Sequence, residues 1–364
     1  MDGTGHNALA TRGLAQKKTG PWQPAPRVSV IVPNYNHARF LRQRLDSVYG
    51  QTYRDFEVIL LDDASTDDSL EILAEYAARP RTRFVANRRN GGCAFKQWNK
   101  GVRLARGQYV WIAEADDWAE PTFLEQLVGK LDGDPRLGVV YCQSWYVDHL
   151  GERIGLCESW YDRFDDPARW KKDYTANGRS DGQRHMVRGN VILTASAAVF
   201  RREVYWAAGG ADERYQMAGD WATWFRILLR CDYAFVAQPL NYWRRHDGTV
   251  RNRTTKQLAG VKESYSVVKM IRKSVSVDEE VADGALCDLY NEMRARLLGG
   301  GKSVSRWQLL TTLGWAWKTD PGLFFRLQKY PNEIKSRSPF LYRLFYLLAG
   351  GRMALSRSMG IFKK

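Results

Sequence analysis

Short runs rich in β-branched and aromatic residues alternate, in the first half of the chain, with longer stretches whose apolar positions recur at helical spacing. Val28-Ser29-Val30-Ile31-Val32 is the first such run, and Pro33-Asn34-Tyr35-Asn36 breaks it with turn residues. Phe40, Leu41, Leu45, Val48 and Tyr49 then predict an amphipathic helix over 38–50. A second run, Phe56 to Leu61, ends in Asp62-Asp63, and Ala64-Ser65-Thr66-Asp67 carries the chain into another helix. A third, Tyr109 to Ala113, has the length and composition of a core strand. This β-α-β-α alternation predicts an α/β fold whose parallel strands end along one edge, the edge where open α/β sheets bind ligands.

That edge is where the pattern places acids. Glu114, Asp116 and Asp117 follow the third run directly, and Asp63 ends the second, so Asp63, Asp116 and Asp117 can converge. Clustered carboxylates repel and raise one another's pKa unless a cation sits between them, and hard oxygen ligands favour Mg²⁺ or Mn²⁺ over zinc. A metal-bound diphosphate suits such a site. The competing reading is an acidic helix start, since Pro121 follows shortly.

The remaining pattern adds candidate parts. Asn90-Gly91-Gly92 precedes a helix beginning near Ala94; glycines let backbone approach a ligand, and a helix N-terminus favours an anion. Ser196 to Arg202 reads as a strand entering a turn, with a loop at Gly209 to Glu213. Ala218-Gly219-Asp220 then opens a helix with Trp221, Trp224, Phe225, Leu228 and Leu229 on its apolar face. By residue type alone Asp220 is an N-cap. Phe235-Val236-Ala237 and Asn241 to His246 read as the last strands, and 158–189, polar and aperiodic, as a lid. Helical patterns near 257–274, 279–298 and 303–318 make a C-terminal appendage.

Composition narrows the classes. At 364 residues, one large α/β domain with an appendage is expected, and 44% hydrophobic content supports a sizeable core. Five cysteines without paired metal-ligand spacing suggest a reducing compartment. Residues 1–26 read as a disordered leader without signal-peptide features, and no apolar run reaches the ~18–20 residues of a membrane span. A cytoplasmic protein is expected. The net charge of +15 raises nucleic acid as a partner, but acids occupy the sheet edge and no nucleic-acid module is present. The tail offers a better account. From Ser338 to Lys364, Phe340, Leu344, Phe345 and Leu348 accompany Arg343, Arg352, Arg357, Lys363 and Lys364 with no acid, as in segments that lie on an anionic membrane surface. The alternative for this tail is a helix packed back on the domain.

Val28 to Asn36, Asp62 to Asp67, Asn90-Gly91-Gly92 with Trp98-Asn99-Lys100-Gly101, and Ala113 to Asp117, in this order and spacing, resemble the signature of family 2 glycosyltransferases with the GT-A fold. The resemblance spans roughly residues 27–250, leaving 251–364 as the helical region. It implies a Rossmann-like nucleotide-binding sheet with an acceptor-side subdomain. It also implies an inverting enzyme of bacterial polysaccharide synthesis. Such an enzyme moves a sugar from a nucleotide-diphosphate donor to a hydroxyl of a saccharide or lipid-linked acceptor, near the inner face of the cell membrane.

Site roles follow from the same resemblance. The nucleotide base would rest against Tyr35 and the backbone near Pro33, with Asp63 reading its polar edge and Asn90 and Gly91 at the donor. Asp117 and Asp116 would hold Mg²⁺ or Mn²⁺. Tyr242-Trp243-Arg244-Arg245-His246 is similar to the family's tyrosine-arginine-x-histidine ending, which puts Arg244 or Arg245 beside the diphosphate and His246 on it or on the metal. The aromatic helix resembles one that an acidic pair precedes, the second acid being the base. Gly219 replaces the first member, and the base role passes to Asp220. The alternatives are a sugar-nucleotide-forming nucleotidyltransferase, whose glycine-rich basic loop the 33–40 turn lacks, and a noncatalytic nucleotide-sugar-binding protein. No zinc, flavin or nicotinamide is expected.

Overall fold

The computed structural model of the protein describes residues 24–246, 258–298 and 306–319. The expected leader, save for residues 24–26, lies outside the described residues, as do the basic tail over 338–364 and the boundary at 250/251. The elements run β1 (Val28–Asn34), α1 (Ala38–Tyr49), β2 (Phe56–Asp62), α2 (Ser69–Ala77), β3 (Thr82–Ala86), α3 (Ala94–Leu104) and β4 (Tyr109–Ile112). Then come β5 (Trp118–Ala119), α4 (Phe123–Gly133), β6 (Leu137–Val147), β7 (Arg153–Leu156), α5 (Glu158–Tyr161), β8 (Tyr174–Ala176) and α6 (Gly178–Asp181). The chain continues through β9 (Ala198–Arg201), α7 (Arg202–Ala207), α8 (Gly219–Leu228) and β10 (Asp232–Arg244), then helices α9 (Ala259–Ser274), α10 (Glu279–Leu298) and α11 (Arg306–Thr319).

The strands form one sheet in the order β3-β2-β1-β4-β9-β6-β10-β5, with β7 paired to β6 and β8 to β10. β3, β2, β1 and β4 are mutually parallel, so the carboxyl ends of β1, β2 and β4 share one edge, as the alternation predicts. β9 runs antiparallel to both β4 and β6 and joins this half to a second one in which β6 and β10 are parallel.

Every residue of β1 and β4 is buried because both sheet faces are covered. With a side-chain period of two, Val28, Val30 and Val32 meet Leu41, Leu45 and Val48 of α1 on one face, while Ile31 faces Phe95, Trp98 and Val102 of α3 on the other. Tyr109 and Trp111 join the first core, Val110 and Ile112 the second. The same second core takes in Trp221 and Trp224 of α8 and Val261, Tyr265 and Val268 of α9. The C-terminal helices thus pack on the sheet's helical layer through a shared apolar core.

Two expectations need correction. The final strands are one, β10, in which Pro239 interrupts the ladder and register shifts flank it. Residues 158–189 are also built rather than irregular: Tyr161, Phe164, Trp170, Met186 and Val187 are buried, and Tyr161 stacks on Trp170 at 4.6 Å. Aromatic packing and the Arg169–Asp181 ion pair at 2.6 Å hold this segment without the periodicity that marks a long helix or strand.

Gly101 marks where α3 crosses β1. A Cβ there would stand 2.3 Å from Ile31 Cγ2, deep in the core. Overpacking costs about 1–3 kcal/mol, whereas alanine's helix preference returns at most ~1 kcal/mol. Gly101→Ala is therefore expected to lower the denaturant midpoint. A midpoint at or above that of the wild type would mean that α3 can ride up on β1 without loss.

Candidate active site

The end of β4 gathers three acidic side chains at the sheet edge. Glu114 is bonded through Oε1 to the Trp98 indole N–H at 2.7 Å. Burial pushes its carboxyl up to about 8, with the Asp116 charge adding to the effect and the Trp98 bond opposing it. Asp117 is also buried and displaced upward, first by burial and then by Asp116, against the pull of Arg44. Its Oδ1 accepts the Arg244 backbone N–H at 3.0 Å and its Oδ2 the Thr194 hydroxyl at 3.3 Å. Arg44 of α1 is fully buried beneath this group. It donates from Nε to the Glu114 carbonyl at 2.8 Å and from Nη2 to Ser196 Oγ at 3.1 Å, with its guanidinium over the Trp111 ring.

Asp116 behaves differently. Burial would raise its pKa, but the His246 hydrogen bond and the neighbouring His37 hold it below the ordinary carboxylate value. His246 Nε2 lies 3.0 Å from Asp116 Oδ2, and Arg39 Nη2 lies 3.2 Å from His246 Nδ1. A guanidinium can only donate, so Nδ1 accepts and the ring proton sits on Nε2, aimed at Asp116. His37 completes the cluster: one ligand atom each of His37, Asp116 and His246 lies within 4.8 Å of the others, and among the described residues this is the group with metal-holding geometry.

One carboxylate and two imidazoles fit a divalent transition ion such as Mn²⁺ better than the all-oxygen set expected for Mg²⁺. The expected ligand Asp117 stands apart from this cluster, because the Arg244 N–H and the Thr194 hydroxyl turn it inward. Ligation through Nε2 of His246 would also require its proton to move to Nδ1 and Arg39 to let go.

The two candidate phosphate-binding arginines separate. Arg244 is 3% exposed, and its guanidinium donates to the carbonyls of Asp116, Asp148 and His149 and to Gln43 Oε1, sandwiched over Phe40 and Trp118. It braces the strand end and is not presented to a phosphate, which corrects the sequence expectation. Arg245 is exposed, with its guanidinium over the Tyr146 ring at 3.8 Å, and can reach an anion at the edge.

On the nucleotide side, Pro33 is buried in β1 and Tyr35 presents a 37% exposed ring just beyond it. The turn after β2 is tightly wired. Asp62 accepts Ser65 N at 2.9 Å, Asn36 Oδ1 accepts Thr66 N at 2.7 Å, and Asp67 Oδ2 accepts Ala38 N at the start of α1. Asn36 and Ala64 take positive φ to make it, 57° and 62°. Asp63 is 4% exposed and faces the 87–92 loop. Its Oδ1 accepts from Asn87, Gly91 N and Gln97 at 2.6–2.9 Å, while Oδ2 shares the Gly91 N–H at 3.0 Å. Asn90 binds the Asp63 carbonyl through Nδ2 and Gly92 N through Oδ1, so Asp63, Asn90 and Gly91 form one unit that shapes the loop.

Asp220 is the second residue of α8, half-buried. Its Oδ1 accepts the Trp221 N–H at 2.7 Å and its Oδ2 the Asn190 amide at 3.1 Å. Trp221 and Trp224 are core residues, and Trp224 is fully buried. A single stretch, 190–196, spans the two halves of the site: Asn190 bonds Asp220, Thr194 bonds Asp117, and Ser196 Oγ accepts the Glu114 N–H at 3.1 Å.

Three members of this site escaped the sequence reading. His37 follows the β1 turn, at the same sheet edge. Arg44 had a sharper signal, a cation on the apolar stripe of α1 between Leu41 and Leu45, where burial demands an anion. Asn190 had none, since its importance comes only from which carboxylate it meets.

Comparisons with known proteins bear on the family and the fold. Residues 29–209 match the family described as Glycosyl transferase family 2. The chondroitin synthase of Escherichia coli is 37% identical over 137 residues, 37% of this chain and 20% of that protein. Glycosyltransferase GlyG of Streptococcus pneumoniae serotype 4 is 34% identical over 117 residues, 31% of this chain and 39% of the relative. The matched region thus spans well under half of these relatives. Among solved structures, S. aureus TarS 1–349 in complex with UDP-GlcNAc superposes with a TM-score of 0.62 at 17% identity, covering 85% of this chain and 87% of that one. The mannosyltransferase PcManGT from Pyrobaculum calidifontis, in complex with GDP-Man and Mn²⁺, gives 0.52 at 19% identity, covering 90% and 87%. At these identities the structural likeness speaks for the fold.

The cluster makes a direct prediction about metal. Titration with Mn²⁺, followed by electron paramagnetic resonance, should reveal binding that Asp116→Asn and His246→Ala each weaken by about 10-fold or more. Equal Mn²⁺ affinity in Asp116→Asn would remove this cluster as the metal site.

Proposed function

The chain belongs to glycosyl transferase family 2 through residues 29–209, and from that premise we propose an inverting transfer of a sugar from a nucleotide-diphosphate donor to an acceptor hydroxyl. The acceptor class is a saccharide or lipid-linked saccharide of cell-surface polysaccharide synthesis. The observation that carries the reading is the 190–196 stretch, which ties a half-buried carboxylate, Asp220, to the acids at the end of β4. A candidate proton acceptor and the acidic end of β4 are thus held by one short stretch of chain.

In this reading the donor base lies against Tyr35 and the Pro33 backbone, over the loop that Asp63, Asn90 and Gly91 shape. Asp116 and His246, with His37 beside them, would hold a divalent cation that offsets charge on the diphosphate leaving group. Arg245 adds a second cation at the same edge. Asp220 accepts the proton from the acceptor hydroxyl as its oxygen attacks the anomeric carbon and the bond to the diphosphate oxygen breaks on the opposite face. Asn190, by donating to Oδ2, orients that carboxylate. The packed segment 158–189 borders Asp220 through Asn190 and Trp160, whose indole N–H donates to the Asn190 carbonyl at 2.8 Å, and so belongs to the acceptor side.

Membrane contact is part of the same proposal and rests on the sequence of the 338–364 tail. No helix among the described residues is long and apolar enough to cross a membrane.

Asp220→Asn tests the base. The amide fills the same space and can still accept the Trp221 N–H, so donor binding and the fold should persist while transfer falls by about 10²–10⁴. Nucleotide release from a panel of nucleotide sugars, with and without acceptor, reads both properties. Transfer within a few-fold of wild type would move the base role to another residue.

A further inference from the structure

The N-cap position of helix α8 carries no capping side chain. Ala218 occupies the N-cap position, where alanine offers no acceptor, and no side chain of the local sequence serves the preceding N–H groups. An acceptor comes from far along the chain. Glu263 of α9 takes the backbone N–H of Gln216 at 2.8 Å through Oε1, and those of Met217 at 2.8 Å and Ala218 at 2.9 Å through Oε2. Three consecutive N–H groups converging on one carboxylate form an anion nest, here filled by the protein itself. Bonds to a charged acceptor are the strong kind, and the carboxylate also faces the positive end of α8.

The helix that supplies Glu263 is firmly seated. Val261, Tyr265, Val268 and Ile271 of α9 are buried in the core that holds Ala218, Trp221 and Trp224. Leu258, at the head of α9, keeps a left-handed φ of 58° while buried in the same core. Such backbone is uncommon for leucine and persists only where its surroundings hold it. Glu263 lies outside residues 29–209, the part that matches the family.

We propose that Glu263 is a positioning residue for glycosyl transfer: from α9 it fixes the 216–218 backbone, and thereby the place where α8 starts and Asp220 points. This rests on the reading of Asp220 as proton acceptor. Asp220 follows the last Glu263-bonded residue by two positions, so a shift of the 216–218 backbone moves its carboxylate directly. Displacements of about 1 Å in a reacting group can cost ~10² in rate. The C-terminal helices are then part of the catalytic unit.

The test uses the full-length chain. Glu263→Ala should lower kcat for transfer by about 10² while the donor dissociation constant, set in this reading by groups that Glu263 does not bond, changes less than about twofold. Glu263→Gln keeps a neutral acceptor for part of the nest and should fall between the two, which also guards against a merely unfolded alanine variant. In an Asp220→Asn background, Glu263→Ala should add little, because the group it positions is already disabled. Transfer by Glu263→Ala at a wild-type kcat, an equal loss of donor affinity, or a full further loss on Asp220→Asn would each overturn the proposal. If instead Asp220→Asn itself transfers normally, the base reading fails, and that result is distinct from any failure of Glu263.

Discussion

Charge balance at the end of β4 constrains everything built around it. Glu114, Asp116 and Asp117 leave one buried strand together, and Arg44 is the buried guanidinium that faces all three. Burial lowers its own pKa to about 10, so it stays charged at neutral pH, and the acids oppose that fall. Removing one side of such an arrangement leaves an uncompensated buried charge, which is far costlier than losing a surface pair. Arg44 also bonds the Glu114 carbonyl and Ser196, so α1, β4 and the strand-entry segment before β9 are fixed by one side chain.

The acids thereby divide into two roles. Glu114 and Asp117 face inward, held by Trp98, the Arg244 backbone and Thr194, and are displaced toward their protonated forms. Asp116 faces the imidazoles of His246 and His37 and is displaced toward its charged form. A guanidinium is a permanent counter-ion with no lone pair to offer, whereas a neutral imidazole has one that can turn to a metal. The groups able to ligate a cation therefore sit at the edge of the site and the fixed charge beneath it.

The parallel core of the sheet, β1, β2 and β4, was legible in the sequence because strands buried on both faces read as continuous apolar runs, whereas β3 and β6 were not read. The runs at Val28, Phe56 and Tyr109 needed nothing else to be recognised, and parallel connection put Asp63, Asp116 and Asp117 at one edge. Partner choice was not legible. Arg244 and Arg245 are adjacent basic residues in sequence, yet strand alternation sends one under Trp118 and the other over Tyr146. Asp63 and Asp117 accept loop and backbone N–H groups that the sequence did not announce, since a carboxylate's partners depend on which chain passes nearest. The 158–189 segment was read as irregular for a related reason: its order comes from Tyr161 and Phe164 stacking on Trp170, at spacings that make no helical or strand period.

Gly219 shows how a departure from a family pattern becomes a structural feature. A Cβ at this position would stand 2.4 Å from Phe95 Cε2, so the ring at the start of α3 occupies the space that a side chain would need. The start of α3 directly follows the Gly91–Gly92 loop that Asp63 shapes, and Cys93 Sγ lies 3.3 Å from the Tyr215 carbonyl ahead of α8. Close contact between Phe95 and Gly219 therefore sets the start of α3 against the first turn of α8. The first turn of α8 is held from three directions: by Phe95 through packing, by Asn190 at the Asp220 carboxylate, and by Glu263 at the backbone before it. A single carboxylate at a helix start has few ways to keep its aim when its acidic neighbour is absent, and these contacts supply the rigidity that the local sequence, Met217-Ala218-Gly219, does not.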